Sequence, residues 1–259
     1  MREGPTMETV NIDATGLQTK DLSGKMRALM IQGAEKFTLS NVCGQRYIGT
    51  RLYVRGNNHK KLEIEILGTP GSDLGAFMMG HKIRVHGNVQ DGVGNTMDSG
   101  EIVVEGRAGD VLGMSMRGGK IFIRDGVGYR TALHMKEYLD KVPSMVIGRI
   151  SQDFLGEYMA GGVVIVLDIN NEGHKANFIG TGMHGGVIFL RGKVDKTQIA
   201  PTVDAAALDE TDMKILGRLV DEFVGHFPDL GLSKEELLKS EFVKLTPRSK
   251  RPYGEMYAY

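Results

Sequence analysis

The sequence predicts an all-β protein, a single-stranded parallel β-helix (β-solenoid) with an N-terminal capping helix and with C-terminal helices that cover the other end or one flank. Two observations favour this fold: a block that recurs between residues 68 and 192, and a short alternating strand inside each block. A fixed period of this length is typical of stacked repeats. The recurring glycines, the first three of them 19 residues apart, are Gly75, Gly94, Gly113, Gly156 and Gly180. The recurring methionines, each three residues after its glycine, are Met78, Met97, Met116, Met159 and Met183.

Each block contains one short strand in which apolar residues occupy alternate positions. Ile102 and Val104 alternate in one block, and Ile121 and Ile123 alternate in the next. The later blocks repeat this alternation, with Val164 followed by Val166 and Ile188 followed by Leu190. Alternation places these side chains on one face, and so short a strand buries that face only by stacking on its neighbours. We interpret the glycines as tight corners, because glycine adopts positive φ without a steric penalty. At about 4.8 Å per coil, five coils would make a column roughly 24 Å tall with a ladder of buried methionines.

Composition excludes several classes of protein. The chain has 259 residues, 36 of them glycine, and a formal net charge of zero. Zero net charge argues against a general electrostatic surface for nucleic acid or membranes. The sequence shows neither a signal-peptide pattern nor a long apolar run, so we expect a cytoplasmic protein. Cys43 is the single cysteine, which excludes an internal disulfide and an iron–sulfur site made by this chain.

The repeat divides the chain into three parts. Residues 1–43 form an arm, a helix predicted from Lys20 to Gln32, and a strand; the helix is a candidate lid for one end of the stack. Residues 44–192 carry the repeat. Residues 193–259 form an extension with two predicted helices and a tail.

The three predicted helices have candidate capping residues. Thr19 can cap the first helix, and Thr211 can cap the second. Ser233 with Glu236 forms a predicted capping box that opens the third helix.

The period breaks at residues 127–143. The stretch from Thr131 to Leu139 is predicted to be helical, and Pro143 ends it. An insertion in a stacked repeat lies on the outer surface. It either binds a partner or is a tolerated surface loop, and the sequence does not choose between the two.

Three patterns resemble functional motifs, and each has a structural explanation. GTGMHG at residues 180–185 matches GxGxxG, but a strand rather than a helix follows it, so the repeat explains its glycines. His134 and Glu137 lack a third ligand at a suitable spacing for a metal site. The acids that recur with the blocks are predicted to cap backbone N–H groups at the corners. They are Asp73, Asp91, Asp110 and Asp153. We therefore assign no catalytic, cofactor-binding or metal-binding residue to this chain.

Longer motifs resemble a known family. They are GQRYIGT at residues 44–50, FLGEYMAGGVVIVL at residues 154–167 and FIGTGMHGGVIFL at residues 178–190. Together with the iterated glycine and methionine blocks, they resemble the GXGXG domain, the C-terminal domain of the large (alpha) subunit of glutamate synthase. A related module occurs as a separate chain of formylmethanofuran dehydrogenase. The resemblance implies a right-handed parallel β-helix.

The resemblance also implies a function. In glutamate synthase this domain is non-catalytic and braces the glutaminase domain against the FMN-binding synthase domain, while the catalytic cysteine, the FMN and the iron–sulfur cluster belong to other domains. We therefore expect a structural subunit of a glutamate synthase-like complex in nitrogen metabolism, which converts glutamine and 2-oxoglutarate to glutamate. Its partners would be glutaminase and FMN-binding synthase chains that carry the FMN and iron–sulfur cofactors.

Two other functions remain open. The chain could be a scaffold subunit of another redox complex, such as formylmethanofuran dehydrogenase, or a free-standing β-helix hydrolase or lyase. A homo-oligomer is compatible with each of them.

Overall fold

The computed structural model describes residues 9–53 and 61–250. In these residues the chain forms one mixed sheet of 11 strands, with three α-helices and two short 3-10 helices. The strands are β1 (Val10–Asp13), β2 (Lys36–Cys43), β3 (Glu63–Thr69), β4 (Met79–His86), β5 (Ser99–Val104), β6 (Lys120–Ile123), β7 (Ser144–Ile147), β8 (Ala160–Val166), β9 (Gly185–Arg191), β10 (Val203–Ala206) and β11 (Phe242–Pro247). The helices are α1 (Thr19–Ile31), α2 (Glu210–His226) and α3 (Lys234–Leu238), and the 3-10 helices are Lys196–Gln198 and Pro228–Leu230.

Strands β1 to β9 lie side by side in chain order, and each pairs in parallel with the next. Ile64, Ile83, Ile102 and Ile121 occupy one register row across β3 to β6. β11 then pairs antiparallel with β9, and β10 closes the order as an edge strand beside β11. The strands predicted at Ile102, Ile121, Val164 and Ile188 are confirmed.

The connections between the strands are stacked turns. The amide of Gly94 donates to the carbonyl oxygen of Leu74 at 2.8 Å, and the amide of Gly113 donates to that of Val93 at 2.8 Å. Within one turn, positive φ recurs at every second residue: 50° at Val111, 65° at Gly113 and 54° at Ser115. Backbone of this kind cannot continue as a strand, so the turns satisfy their amides by pairing with equivalent turns.

The parallel β-helix predicted from the sequence is wrong. In the described part of the chain, all strands belong to a single open sheet with edges at β1 and β10, and the last two strands are antiparallel. The all-β class is wrong as well, because α2 packs on this sheet as part of the fold. The periodic sequence indicates that equivalent segments stack on one another. It does not indicate that the segments between the strands form further sheets, and the alternating positive φ angles of those segments prevent them from doing so.

The sheet has two faces with different environments. The inner face, which carries Ile64, Ile83, Ile102 and Ile121, packs against side chains of the turns in the main hydrophobic cluster. The outer face includes Val103, Phe122 and Phe189, which form a second cluster with α2 and α3.

The predicted helix in residues 127–143 is wrong, because this range, all of it described, contains turns and no helix. Ala132 stands where the other turns have glycine, with φ of 62°, and its amide donates to the carbonyl oxygen of Leu112 at 2.8 Å. Met135 is fully buried three residues later. The extra residues make a small hairpin that pairs Tyr138 with Lys141. Cross-turn hydrogen bonds therefore override the local helical pattern.

The predicted helices outside the repeat are confirmed, but not all of their caps are. α1 begins at Thr19 and buries Leu22, Met26 and Met30 in the main cluster. The hydroxyl of Thr19 accepts from the amide of Arg46 at 3.0 Å instead of capping the helix. Asp209, not the predicted Thr211, caps α2. The predicted capping box of α3, Ser233 with Glu236, is confirmed.

No helix in residues 9–53 and 61–250 combines the length and the apolar character that a bilayer crossing requires.

Candidate functional site

The structure places the five recurring glycines at equivalent points of the stacked turns. Their φ angles lie between 65° and 73°. A Cβ atom added to Gly75 would lie 2.6 Å from Cδ1 of Ile102, and one added to Gly94 would lie 2.5 Å from Cδ1 of Ile121. At each site the inner-face side chain of a strand occupies the space that glycine leaves. These positions serve packing and backbone geometry.

The five recurring methionines lie inside the main cluster, each with 0 or 1% of its surface exposed. Met135 continues the same row, and sequence reasoning missed it because the predicted helix obscured the repeat. The thioether of Met97 lies next to the turn that contains Gly94. Because these sulfurs are sealed from solvent, the row contributes to the core and offers no ligand-binding surface.

The side chains of His134 and Glu137 contact different partners. The His134 ring stacks on Tyr158, with 5.2 Å between centroids. Oε1 of Glu137 accepts from the amide of Gly162 at 2.9 Å. Neither arrangement resembles an acid–base pair. GTGMHG leads directly into β9, which confirms that a strand follows it.

Three of the four recurring acids cap backbone amides of the neighbouring turn, as predicted. Asp91 accepts from the amide of Asp110 at 2.8 Å, Asp110 from that of Tyr129 at 2.9 Å, and Asp153 from that of Asn177 at 2.8 Å. Asp73 differs, because its carboxylate pairs with the Arg46 guanidinium at 3.0 Å.

The outer face of the sheet carries a charge ladder that sequence reasoning did not detect. One register row across β2 to β6 alternates in sign: Lys36, Glu63, Lys82, Glu101 and Lys120. Lys36 and Glu63 form an ion pair at 2.9 Å. The signal was available, because the last four of these residues are 19 apart and alternate in charge. Opposite charges on adjacent strands stabilise the pairing modestly.

A histidine clamped between two carboxylates lies beside this ladder. Nε2 of His86 is 2.6 Å from Glu65, and its Nδ1 is 2.8 Å from Glu105. Burial opposes protonation of His86, but the hydrogen bonds to Glu105 and Glu65 outweigh it and raise the pKa of the imidazole. Burial likewise opposes ionisation of Glu105, but hydrogen bonds from His86 and Arg84 outweigh it and lower the pKa of that carboxyl.

The C-terminal end of α2 meets these charges across a groove of about 230 Å³. Nη2 of Arg84 is 3.2 Å from Nδ1 of His226, the last residue of the helix. Nε2 of His226 is 3.7 Å from Glu101, and this contact is the main cause that lowers the pKa of the Glu101 carboxyl. Because acids and bases alternate here and pair with one another, the charged groove fastens α2 to the sheet. Within the described residues, no three His, Cys, Asp or Glu side chains are grouped to hold a metal ion.

A family model identifies the family of this chain. The model of the family described as GXGXG motif matches residues 29–248. This chain belongs to the GXGXG motif family. An uncharacterized protein of Methanocaldococcus jannaschii is 48% identical to this GXGXG-family chain, in an alignment 258 residues long that covers 97% of each protein.

A solved structure shares the fold. A chain of the formyltransferase/hydrolase complex from Methylorubrum extorquens, determined in complex with methylofuran, covers 91% of this GXGXG-family chain and 93% of its own length. The two superpose with a TM-score of 0.60 at 18% sequence identity. At this identity the likeness establishes the fold of the chain and nothing about its ligands.

Proposed function

We propose that this GXGXG-family chain is a non-catalytic structural subunit of a multi-subunit redox complex. The observation that carries the proposal is the likeness, over 91% of the chain, to a chain of a multi-subunit complex. Family membership over residues 29–248 supports it. The recurring residues of the repeat have structural roles, because the glycines form the turns, the methionines fill the core and three of the four acids cap backbone amides.

The first candidate is a glutamate synthase-like complex. The motifs at residues 44–50, 154–167 and 178–190 resemble the domain that braces the two halves of that enzyme. On this proposal the partners are a glutaminase chain and an FMN-binding synthase chain, which carry the FMN and the iron–sulfur cluster. The complex would convert glutamine and 2-oxoglutarate to glutamate.

The second candidate is a complex of the formylmethanofuran dehydrogenase type. It is favoured by one specific observation, the fold shared with a chain of a complex that was solved with methylofuran. On this alternative the partners carry out formyl-group chemistry, and the present chain again supplies a rigid surface.

Purification of the tagged chain from its native cells tests the proposal and separates the two candidates. We expect one stable complex by gel filtration, with its other chains identified by mass spectrometry. A flavin absorbance spectrum and glutaminase activity would support the first candidate, and formyltransferase or formylmethanofuran dehydrogenase activity would support the second. Elution of the native chain alone, at its own mass and without other subunits, would contradict the structural-subunit proposal.

A further inference from the structure

A cavity of about 530 Å³ lies between α1 and the first two stacked turns of the repeat, apart from the charged groove. Ser23, Gly24 and Arg27 line it from the helix, and Tyr47, Arg51 and Phe77 line it from the turns. Its volume lies within the range of about 300–1,000 Å³ that is typical of pockets for small organic ligands.

The walls of the cavity present aromatic rings to solvent. The exposed fraction is 42% for Tyr47 and 59% for Phe77, while the main hydrophobic cluster includes the neighbouring Leu52. Both rings belong to residues at positive φ, 58° for Tyr47 and 55° for Phe77. Exposed aromatic side chains on a fixed backbone offer a flat apolar surface to a ligand at low entropic cost.

Two arginines give the cavity a positive charge. Among the described residues, no carboxylate lies within ion-pair distance of Arg27 or Arg51. Arg46 lies nearby, 5.1 Å above the Tyr47 ring, but Asp73 neutralises it. Because the whole chain has no net charge, these two guanidinium groups make a local concentration of positive charge at the cavity. Guanidinium groups bind carboxylate, sulfonate and phosphate oxygens through paired N–H donors.

The helix leaves room in the cavity at Gly24. A glycine inside a helix destabilises it by roughly 0.5–1 kcal/mol relative to alanine. Nothing lies within 4 Å of a Cβ atom added at this position, so packing does not require glycine here. The missing side chain instead keeps the helical wall of the cavity open.

We propose that this cavity binds a small organic anion with a flat apolar body. Its acidic group contacts Arg27 and Arg51, and its body lies between Tyr47 and Phe77. The site is independent of the complex that the chain joins, because every group that builds it belongs to this chain.

Two fluorescent probes test the chemistry of the site: 8-anilinonaphthalene-1-sulfonate, which is an aromatic anion, and N-phenyl-1-naphthylamine, its uncharged relative. We expect the anion to bind the purified full-length chain at one site, and the variant R27E/R51E to bind it at least about tenfold more weakly, a loss of about 1.4 kcal/mol or more. Binding of the neutral probe should change by less than about threefold, because the aromatic walls remain. Equal anion affinity for the variant and the wild type would overturn the proposal.

A blocking variant provides a second test. Gly24→Leu places a side chain into the open space and should abolish binding of the anionic probe without unfolding the chain. Gly225→Leu in α2 is the matched control, because nothing lies within 4 Å of an added Cβ there either. Thermal unfolding of both variants shows that each one folds. If folded Gly24→Leu binds the anion as tightly as Gly225→Leu does, the cavity is not the site and the proposal fails.

Discussion

Gly94 illustrates how single residues determine the turns of this protein. Its φ of 68° lies in the left-handed region, and an inner-face isoleucine occupies the space beside its Cα. Two separate penalties therefore oppose any substitution: backbone strain and overlap with the Ile121 methyl group. Gly173 shares the first feature without the second, because its φ is 75° and nothing lies within 4 Å of an added Cβ.

This difference predicts the cost of replacing each glycine by alanine. Gly173→Ala should destabilise the protein by about 1–2 kcal/mol through backbone strain alone. Gly94→Ala should cost a further 1–3 kcal/mol, roughly, because the added methyl group overpacks the core. Urea unfolding followed by circular dichroism measures both free energies. Equal losses in the two variants would show that Ile121 adapts and that the steric contribution is absent.

The contacts of His86 predict, again at the scale of single residues, that the stability of the fold depends on pH. The raised pKa of His86 means that its contribution to stability is complete below the ordinary value of 6.5 and is lost as pH rises through the raised value. The lowered pKa of Glu105 means that its contribution is complete above 4.5 and is lost as pH falls through the lowered value. The contacts of His86 and Glu105 therefore stabilise the fold most between pH 4.5 and pH 6.5, the ordinary pKa values of the two groups.

The variant His86→Gln tests this window. We expect it to destabilise the protein most near about pH 5.5 and progressively less towards about pH 9, as measured by urea unfolding across the range. Glu65→Gln, which removes one of the two carboxylates around the imidazole, should weaken the pH dependence of the wild type. If His86→Gln destabilises the protein equally at both ends of the pH range, the contacts of His86 with Glu65 and Glu105 do not make the stability depend on pH.

At the scale of elements, α2 organises the outer face of the sheet. Its apolar stripe, which includes Leu216, Val220 and Phe223, packs on Phe122 and Phe189 in the second cluster. Gly148 permits this approach, because a Cβ atom added there would lie 2.9 Å from Cζ of Phe223. Lys120 on β6 pairs with Glu222 of the helix at 2.5 Å, so polar contacts flank the apolar ones.

Loss of this packing should be costly. Phe223 is fully buried and makes an edge contact with Phe227, with 4.9 Å between ring centroids. Phe223→Ala should destabilise the protein by about 3–5 kcal/mol. Met213→Ala, on the same helix but 44% exposed, should change stability by no more than about 0.5 kcal/mol. Thermal unfolding compares the pair, and a small effect at Phe223 would show that α2 is only loosely held.

At the scale of the whole molecule, the C-terminal part completes the sheet. β11 covers the edge of β9, and α2 and α3 cover the apolar half of the outer face. A long unpaired strand edge and an exposed apolar face both promote association with other chains. The segment from α2 to β11 therefore protects the repeat from aggregation as well as extending it.

Truncation tests this role. A chain that ends at Asp209 lacks α2, α3 and β11, and we expect it to form soluble aggregates or to precipitate. A chain that ends at Lys250 keeps all three elements and should retain the size of the full-length protein. Gel filtration with light scattering measures both. A truncated chain at Asp209 with the molar mass of a monomer would contradict the protective role.

Some features of the fold could be read from the residues. The strands at Ile102 and Ile121 were predictable, because alternation and the 19-residue spacing both report how equivalent segments align. The caps made by Asp91 and Asp110 were predictable for the same reason. Ala132 was not, because alanine gives no local sign of a left-handed backbone, and the residues around it have a helical pattern. The outer-face groove was also missed, because it depends on where α2 docks.

The sequence by itself determined the spacing of the strands, the neighbours that each one pairs with and the family to which the chain belongs. These features follow from local backbone preferences and from repetition, which the order of residues records directly. Only the tertiary structure decided that the strands form a single open sheet, that α2 and β11 cover its last strands, and that two arginines face one cavity. These features depend on contacts between residues far apart in the chain, and no periodic pattern in the sequence encodes such contacts.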